Sequence, residues 1–166
     1  AVSASTAGVP YLIGLSRVLA RVASIKYGLD GSMASLNTLY KKVLKARGLD
    51  VSQISIVDGS GLSKLNLVPA ALINDLLALV NQGVGDYEAL EAGLPVSGQS
   101  GSLKSRFATG SKVETKGKVF AKTGYIRSGY SLAGFLIAKD GTELIFTVYN
   151  LADRASANHR LAMDNL

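Results

Sequence analysis

Lys122-Thr123-Gly124 is the run of residues in this sequence best placed to do chemistry, because it ends a stretch, Lys118 to Thr123, that reads as a strand. A lysine ammonium there supplies a positive field that attracts a substrate carboxylate and favours deprotonation of a neighbouring group. The threonine hydroxyl can hydrogen-bond the same carboxylate, and the glycine leaves the strand wall bare for a substrate backbone. Three letters of this kind recur by chance in many proteins, so their weight comes from the strand, turn and second strand around them.

Rival chemistries find little support. There is no Gly-x-Ser-x-Gly elbow and no Walker A loop, and Gly83-Val84-Gly85 lacks the third glycine of a dinucleotide fingerprint. His159 is the only histidine and lies in what reads as the terminal helix, so it is expected to be a surface or helix-terminal residue rather than part of a triad. Without cysteine or a second histidine, a metal site has no donor set, and no cofactor is implied. Asp58-Gly59-Ser60-Gly61 invites a nucleophile reading for Ser60. The glycines and the bracing Asp58 and Ser60 suit a tight turn better. Ser100 and Ser102, at a predicted helix start, read as caps.

The elements that must position these residues follow from periodicity. Gly14 to Tyr27 carries Leu15, Val18, Leu19, Val22 and Ile25 at helical spacing, the pattern of one buried face, and Gly28 ends it. Met33 to Arg47 reads as a second helix, capped by Ser32, buried through Leu36, Leu39, Tyr40 and Val43, and closed by Gly48. Ile54 to Val57 reads as a short buried strand. Pro69 suits the first turn of a third helix with Leu72, Ile73, Leu76, Leu77 and Val80 on its core face. Gly83 to Gly117 is rich in glycine and serine, with two short helices, and reads as surface or cleft-rim structure. Lys118 to Thr123, Ser131 to Ala138 and Leu144 to Tyr149 are strand-like, with Asp140-Gly141 a hairpin signal, and Asp153 to Leu166 reads as a closing helix capped by Asp153. Helices, then an antiparallel hairpin sheet, then a helix, argue an α+β fold.

With 48% hydrophobic residues in 166, the chain has ample material for a core, which excludes intrinsic disorder. The net charge of +6 is read as a solvated basic face, with Lys41, Lys42, Lys45 and Arg47 at one helix end complementing its dipole, and not as a nucleic-acid site. Ala1 to Gly8 has neither region of a signal peptide, and Leu67 to Val80 is too short and too polar to span a bilayer, so no transmembrane segment is expected.

Three blocks carry a family resemblance: IVDGSGLSKLN (Ile56 to Asn66) continuing into NLVPA, GLPVSGQSGSLKSRF (Gly93 to Phe107), and AKTGYIRSGYSLAGF (Ala121 to Phe135). Together they resemble the low-molecular-weight class C penicillin-binding proteins, the D-alanyl-D-alanine carboxypeptidase and endopeptidase family, in order and separation, from about Val18 to the C-terminus. The resemblance implies an antiparallel sheet flanked by helices, with residues 1–166 the C-terminal part of one penicillin-binding, transpeptidase-like domain and residues 1–13 a divergent or non-native leader. It implies an active-site serine that attacks the penultimate D-alanine carbonyl of a peptidoglycan stem peptide, an acyl-enzyme resolved by water, and acylation by β-lactams. Carried over, Lys122 and Thr123 hold the region of the substrate carboxylate, Gly124 lines the cleft, the backbone N–H of Tyr125 is an oxyanion donor, and Ile126 and Arg127 flank the donor-side pocket. An extracytoplasmic, cell-wall location is implied as well.

Departures from the family are as informative. No Ser-x-x-Lys occurs in the chain, so the nucleophile is expected upstream of it. The Ser-x-Asn element is expected near Pro10 to Gly14, which holds neither residue, while Ser35-Leu36-Asn37 and Ser156-Ala157-Asn158 match as strings inside predicted helices and read as coincidences. The chain therefore reads as a catalytically incomplete part of a carboxypeptidase. The other readings left open are a peptidoglycan-binding module without turnover and the structural half of a split domain whose N-terminal half is its partner.

Overall fold

A computed structural model of the protein describes residues 9–107, 114–153 and 156–165, in two compact units, one running to Leu72 and the other from Ile73 onward. Much of the expected leader, residues 1–8, lies outside the described residues.

The first unit opens with helix α1 (Val9–Lys26), which starts earlier than Gly14 and ends as expected at Gly28, whose φ of 79° is a conformation glycine adopts at little cost. Helix α2 (Ser35–Lys45) starts later than Met33, after Ala34, so Ser32 is not its cap; Ser32 Oγ accepts the Ser35 N–H at 3.2 Å and braces the turn leading into the helix. Leu36 and Leu39 are buried, with Tyr40 and Val43 packed against them as the periodicity predicts. The stripe on α1 behaves otherwise: Leu15, Val18, Leu19, Val22 and Ile25 are 53% to 61% exposed rather than buried. The helix turns its small residues inward instead. Ala20 joins the α2 cluster, Ser24 is fully buried with Oγ 2.7 Å from Ser35 Oγ, and small side chains let the two helices approach closely.

Ile54 to Val57 is not a strand; one bridge joins Ser55 to Leu67. Side chains take over from a ladder there, with Asn37 Oδ1 accepting the Ile56 N–H at 3.1 Å and Asn66 Oδ1 the Val57 N–H at 2.8 Å. The following turn forms as predicted around Asp58, whose carboxylate accepts the backbone N–H groups of Ser60 (2.8 Å), Gly61 (2.8 Å) and Ser63 (2.9 Å) and the Asn66 amide (3.1 Å). Burial alone would raise the pKa of Asp58, but donors from Gly61, Asn66, Ser60 and Ser63 more than offset it and hold the carboxyl below its ordinary value. Gly59 has no room for a side chain, since a Cβ would meet Ala20 Cβ at 2.6 Å.

Helix α3 (Ala70–Asn81) spans the junction of the units directly after Pro69; of its predicted core face Leu72 is buried, while Ile73, Leu76, Leu77 and Val80 are half-buried. The second unit continues with α4 (Tyr87–Gly93), capped by Asp86 Oδ1 on the Ala89 N–H at 2.9 Å, and a short 3₁₀ turn, Gly101–Leu103. The antiparallel sheet has the order β1 (Val119–Ile126), β2 (Gly129–Ile137), β3 (Glu143–Leu151), each strand longer than its sequence signal. Asp140-Gly141 makes the second turn, where Asp140 Oδ1 accepts the Thr142 N–H at 2.9 Å and Gly141 has φ 87°. Helix α5 (Ala157–Met163) closes the unit, capped by Ser156 and not by Asp153. Ser156 and His159 cap each other across the first turn, the Ser156 N–H donating to His159 Nδ1 at 2.9 Å. One face of the sheet carries the core of Leu103, Val119, Ala121, Leu132 and Met163, with Phe146 and Val148 packed on it.

Candidate functional site

Lys122-Thr123-Gly124 lies in the middle of β1, not at its end, with Lys122 opposite Ala133, Thr123 opposite Leu132 and Gly124 opposite Ser131. Successive side chains of a strand point to opposite faces, so the three residues do not present one surface. Thr123 and Tyr125 share the face of Val119 and Ala121, which is the face packed on Met163 of α5. Lys122 and Gly124 lie on the other face with Ser131, Ala133 and Thr147.

β1 is an edge strand, and its outer edge is half covered. Ser97 donates its N–H to the Val119 carbonyl at 2.9 Å, and Ala121 donates to the Pro95 carbonyl at 3.0 Å, so segment 95–97 closes the edge as far as Ala121. Buried Ser97 fixes that segment, since its Oγ accepts the Val119 N–H at 3.1 Å. Backbone direction alternates along an antiparallel strand, so the N–H and C=O groups of Thr123 and Tyr125 point the same way as those of Val119 and Ala121, outward. Beyond Ala121 no other backbone segment among the described residues of this unit pairs with them; the Thr123 carbonyl accepts from the Lys122 ammonium.

Lys122 is exposed and its ammonium donates to the Thr123 carbonyl; desolvation by the surrounding protein lowers its pKa below that of an ordinary lysine. Thr123 Oγ1 donates to Ser102 Oγ at 2.8 Å, so Ser102, expected as a cap, instead stands against the motif. A Cβ on Gly124 would meet Ser131 Oγ, so a side chain there would have to turn the Ser131 hydroxyl aside. The Tyr125 ring stacks on Tyr130, with centroids 4.8 Å apart. Ile126 ends β1, and Arg127 is exposed in the turn to β2.

Ser102, Arg106, Thr123, Gly124, Tyr125, Tyr130 and Arg160 line an open depression of about 160 Å³. Arg106 is half-buried and held by Asp164 of the α5 C-cap through Nε at 3.0 Å and through Nη2. Sequence reasoning did not single out Arg106, Tyr130 or Arg160. The other serines have local tasks: Ser60 Oγ reaches the Leu62 N–H at 3.5 Å, Ser100 Oγ accepts from Val96 at 3.0 Å, and Ser35 and Asn37 brace α2.

With this geometry in view, a sequence profile of the D-Ala-D-Ala carboxypeptidase 3 (S13) family matches residues 14–166. The chain belongs to that family. It is 29% identical over 132 residues to a D-alanyl-D-alanine carboxypeptidase, DacB, of Haemophilus influenzae, covering 79% of this chain and 27% of the relative. It is 35% identical to a D-alanyl-D-alanine carboxypeptidase of an Actinomadura strain, over 66% of this chain and 20% of that protein. In three dimensions it resembles penicillin-binding protein 4 of Haemophilus influenzae complexed with a β-lactam, with a TM-score of 0.77 at 22% identity, covering 93% of this chain and 39% of the other. A predatory endopeptidase of Bdellovibrio bacteriovorus in complex with an immunity protein shares the fold at a TM-score of 0.58 and 22% identity, covering 86% of this chain and 36% of that one. The chain thus spans roughly a fifth to two fifths of the length of these proteins. The α+β fold is that of the penicillin-binding proteins, as the sequence blocks imply. No described helix is long and apolar enough to cross a membrane.

Proposed function

We infer that this chain supplies one wall of the active site of a serine-type D-alanyl-D-alanine carboxypeptidase acting on peptidoglycan stem peptides outside the cytoplasm. The observation that carries the reading is the uncovered half of the β1 edge, where the backbone groups of Thr123 and Tyr125 face outward beside Lys122. A peptide can add to such an edge as a further strand, with the ladder giving affinity and the flanking side chains specificity. The Tyr125 amide then points at the carbonyl under attack and stabilises its oxyanion, a role for which the main chain alone matters. Lys122 adds positive charge, and its lowered pKa suits a group that sits close to proton transfer. Ile126 and Arg127 border the path of the donor peptide.

The nucleophile in this reading belongs to a Ser-x-x-Lys outside these 166 residues, so the chain by itself is not acylated by a β-lactam. Fluorescent penicillin is the direct test: covalent labelling of this chain alone would refute the assignment of the nucleophile elsewhere. Calorimetry with a D-Ala-D-Ala peptide tests the wall itself, and Lys122→Ala is expected to weaken binding about tenfold, through loss of the positive field beside the strand edge.

A further inference from the structure

The depression beside Thr123 holds two arginines, and they are not equivalent. Arg106 is committed, half-buried and bound to the Asp164 carboxylate through two nitrogens. Arg160, one helical turn before Asp164 on α5, is exposed, and its side chain has no hydrogen bond or ion pair among the described residues. We propose that Arg160 is a specificity residue that reads the terminal carboxylate of the bound peptide, with the Ser102 hydroxyl, oriented by Thr123, completing the anion site.

The proposal rests on the reading of β1 as a peptide-binding edge and adds to it the group that selects the peptide's end. A strand laid on Thr123 and Tyr125 turns alternate substituents toward the α5 face, where this depression opens between Thr123, Ser102 and Arg160. Thr123 Oγ1 spends its proton on Ser102 Oγ, which leaves the Ser102 hydroxyl hydrogen to donate to a ligand oxygen. A guanidinium matches the two oxygens of a carboxylate in a planar fork, which an ammonium does not. Lys122 is poorly placed for this task, because its side chain leaves the strand on the other face and its ammonium is engaged by the Thr123 carbonyl. The stacked Tyr125 and Tyr130 rings make the apolar side of the depression, suited to a small methyl-bearing residue next to the carboxylate.

The test compares diacetyl-lysyl-D-alanyl-D-alanine with its C-terminal amide, measuring binding to the 166-residue chain by calorimetry. The wild type is expected to prefer the acid by tenfold or more, Arg160→Gln to remove that preference by weakening the acid and leaving the amide unchanged, and Arg160→Lys to restore part of it. The far-ultraviolet circular dichroism of both variants is expected to match wild type, because the Arg160 side chain supports no described contact. Preference for the acid persisting in Arg160→Gln overturns the role of Arg160 and leaves the peptide-edge reading standing. Failure of the wild type to bind either peptide overturns the edge reading and the carboxylate site with it.

Discussion

Leu132 and Phe135 on β2 are 2% and 1% exposed, whereas Leu19 and Val22 on α1, as apolar and as regularly spaced, stand 59% and 56% exposed. On the face of Leu132 the sheet unit supplies its own cover, from helix α5 and the 3₁₀ turn, while Phe135 is buried on the opposite face. α1 meets α2 through alanine and serine and leaves its large side chains uncovered among the described residues. Periodicity thus reports which side chains seek burial, but not which piece of chain provides it.

Substitutions turn this contrast into numbers. Phe135→Ala, the removal of the largest fully buried side chain, is expected to cost about 4 kcal/mol in urea denaturation; a loss below about 1 kcal/mol would break the contrast with the exposed α1 stripe. Arg106→Ala leaves the Asp164 carboxylate buried without its guanidinium and is expected to cost about 3 kcal/mol. In the helical unit the comparable centre is polar. Asp58→Ala strips acceptors from three backbone N–H groups and Asn66, at about 2 kcal/mol. Because the folded pKa of Asp58 is depressed, its stabilisation is complete above the unfolded value of about 3.9 and is lost as pH falls through the lower folded value. Denaturation between neutral pH and pH 3 checks this, with Asp58→Asn expected to flatten that part of the acid dependence. The smallest effect belongs to the α1 stripe: Leu19→Ser is expected to change stability by less than about 0.5 kcal/mol. A large loss there would show that the stripe is buried in solution, and the contrast would fall.

The strands were legible because alternation and the Asp140-Gly141 turn speak locally, and α2 was legible because its cover, α1, is its neighbour in sequence. Ile54 to Val57 misled, since a run of apolar residues looks the same whether a strand or the side chains of Asn37 and Asn66 receive its N–H groups. The α5 cap was misplaced because Asp153 and Ser156 are both good capping residues, and a histidine stands at the position where glutamate or glutamine usually marks a capping box. At the candidate site, Lys122, Thr123 and Tyr125 were found through a short motif in a strand setting, yet their division between two faces follows from the register. Arg160 had no sequence signal at all: a lone arginine in a short helix gains meaning when the fold sets it beside Thr123.

A strand edge able to receive a peptide can equally receive the strand of another copy, the usual first step of edge-to-edge aggregation. Here the covered stretch ends at Ala121, and the stretch left bare runs between Lys122 and Arg127, in a chain whose formal charge is +6. Two molecules meeting along this seam bring like charges together, so mutual repulsion discourages self-pairing while a guest carrying a negative end is drawn in.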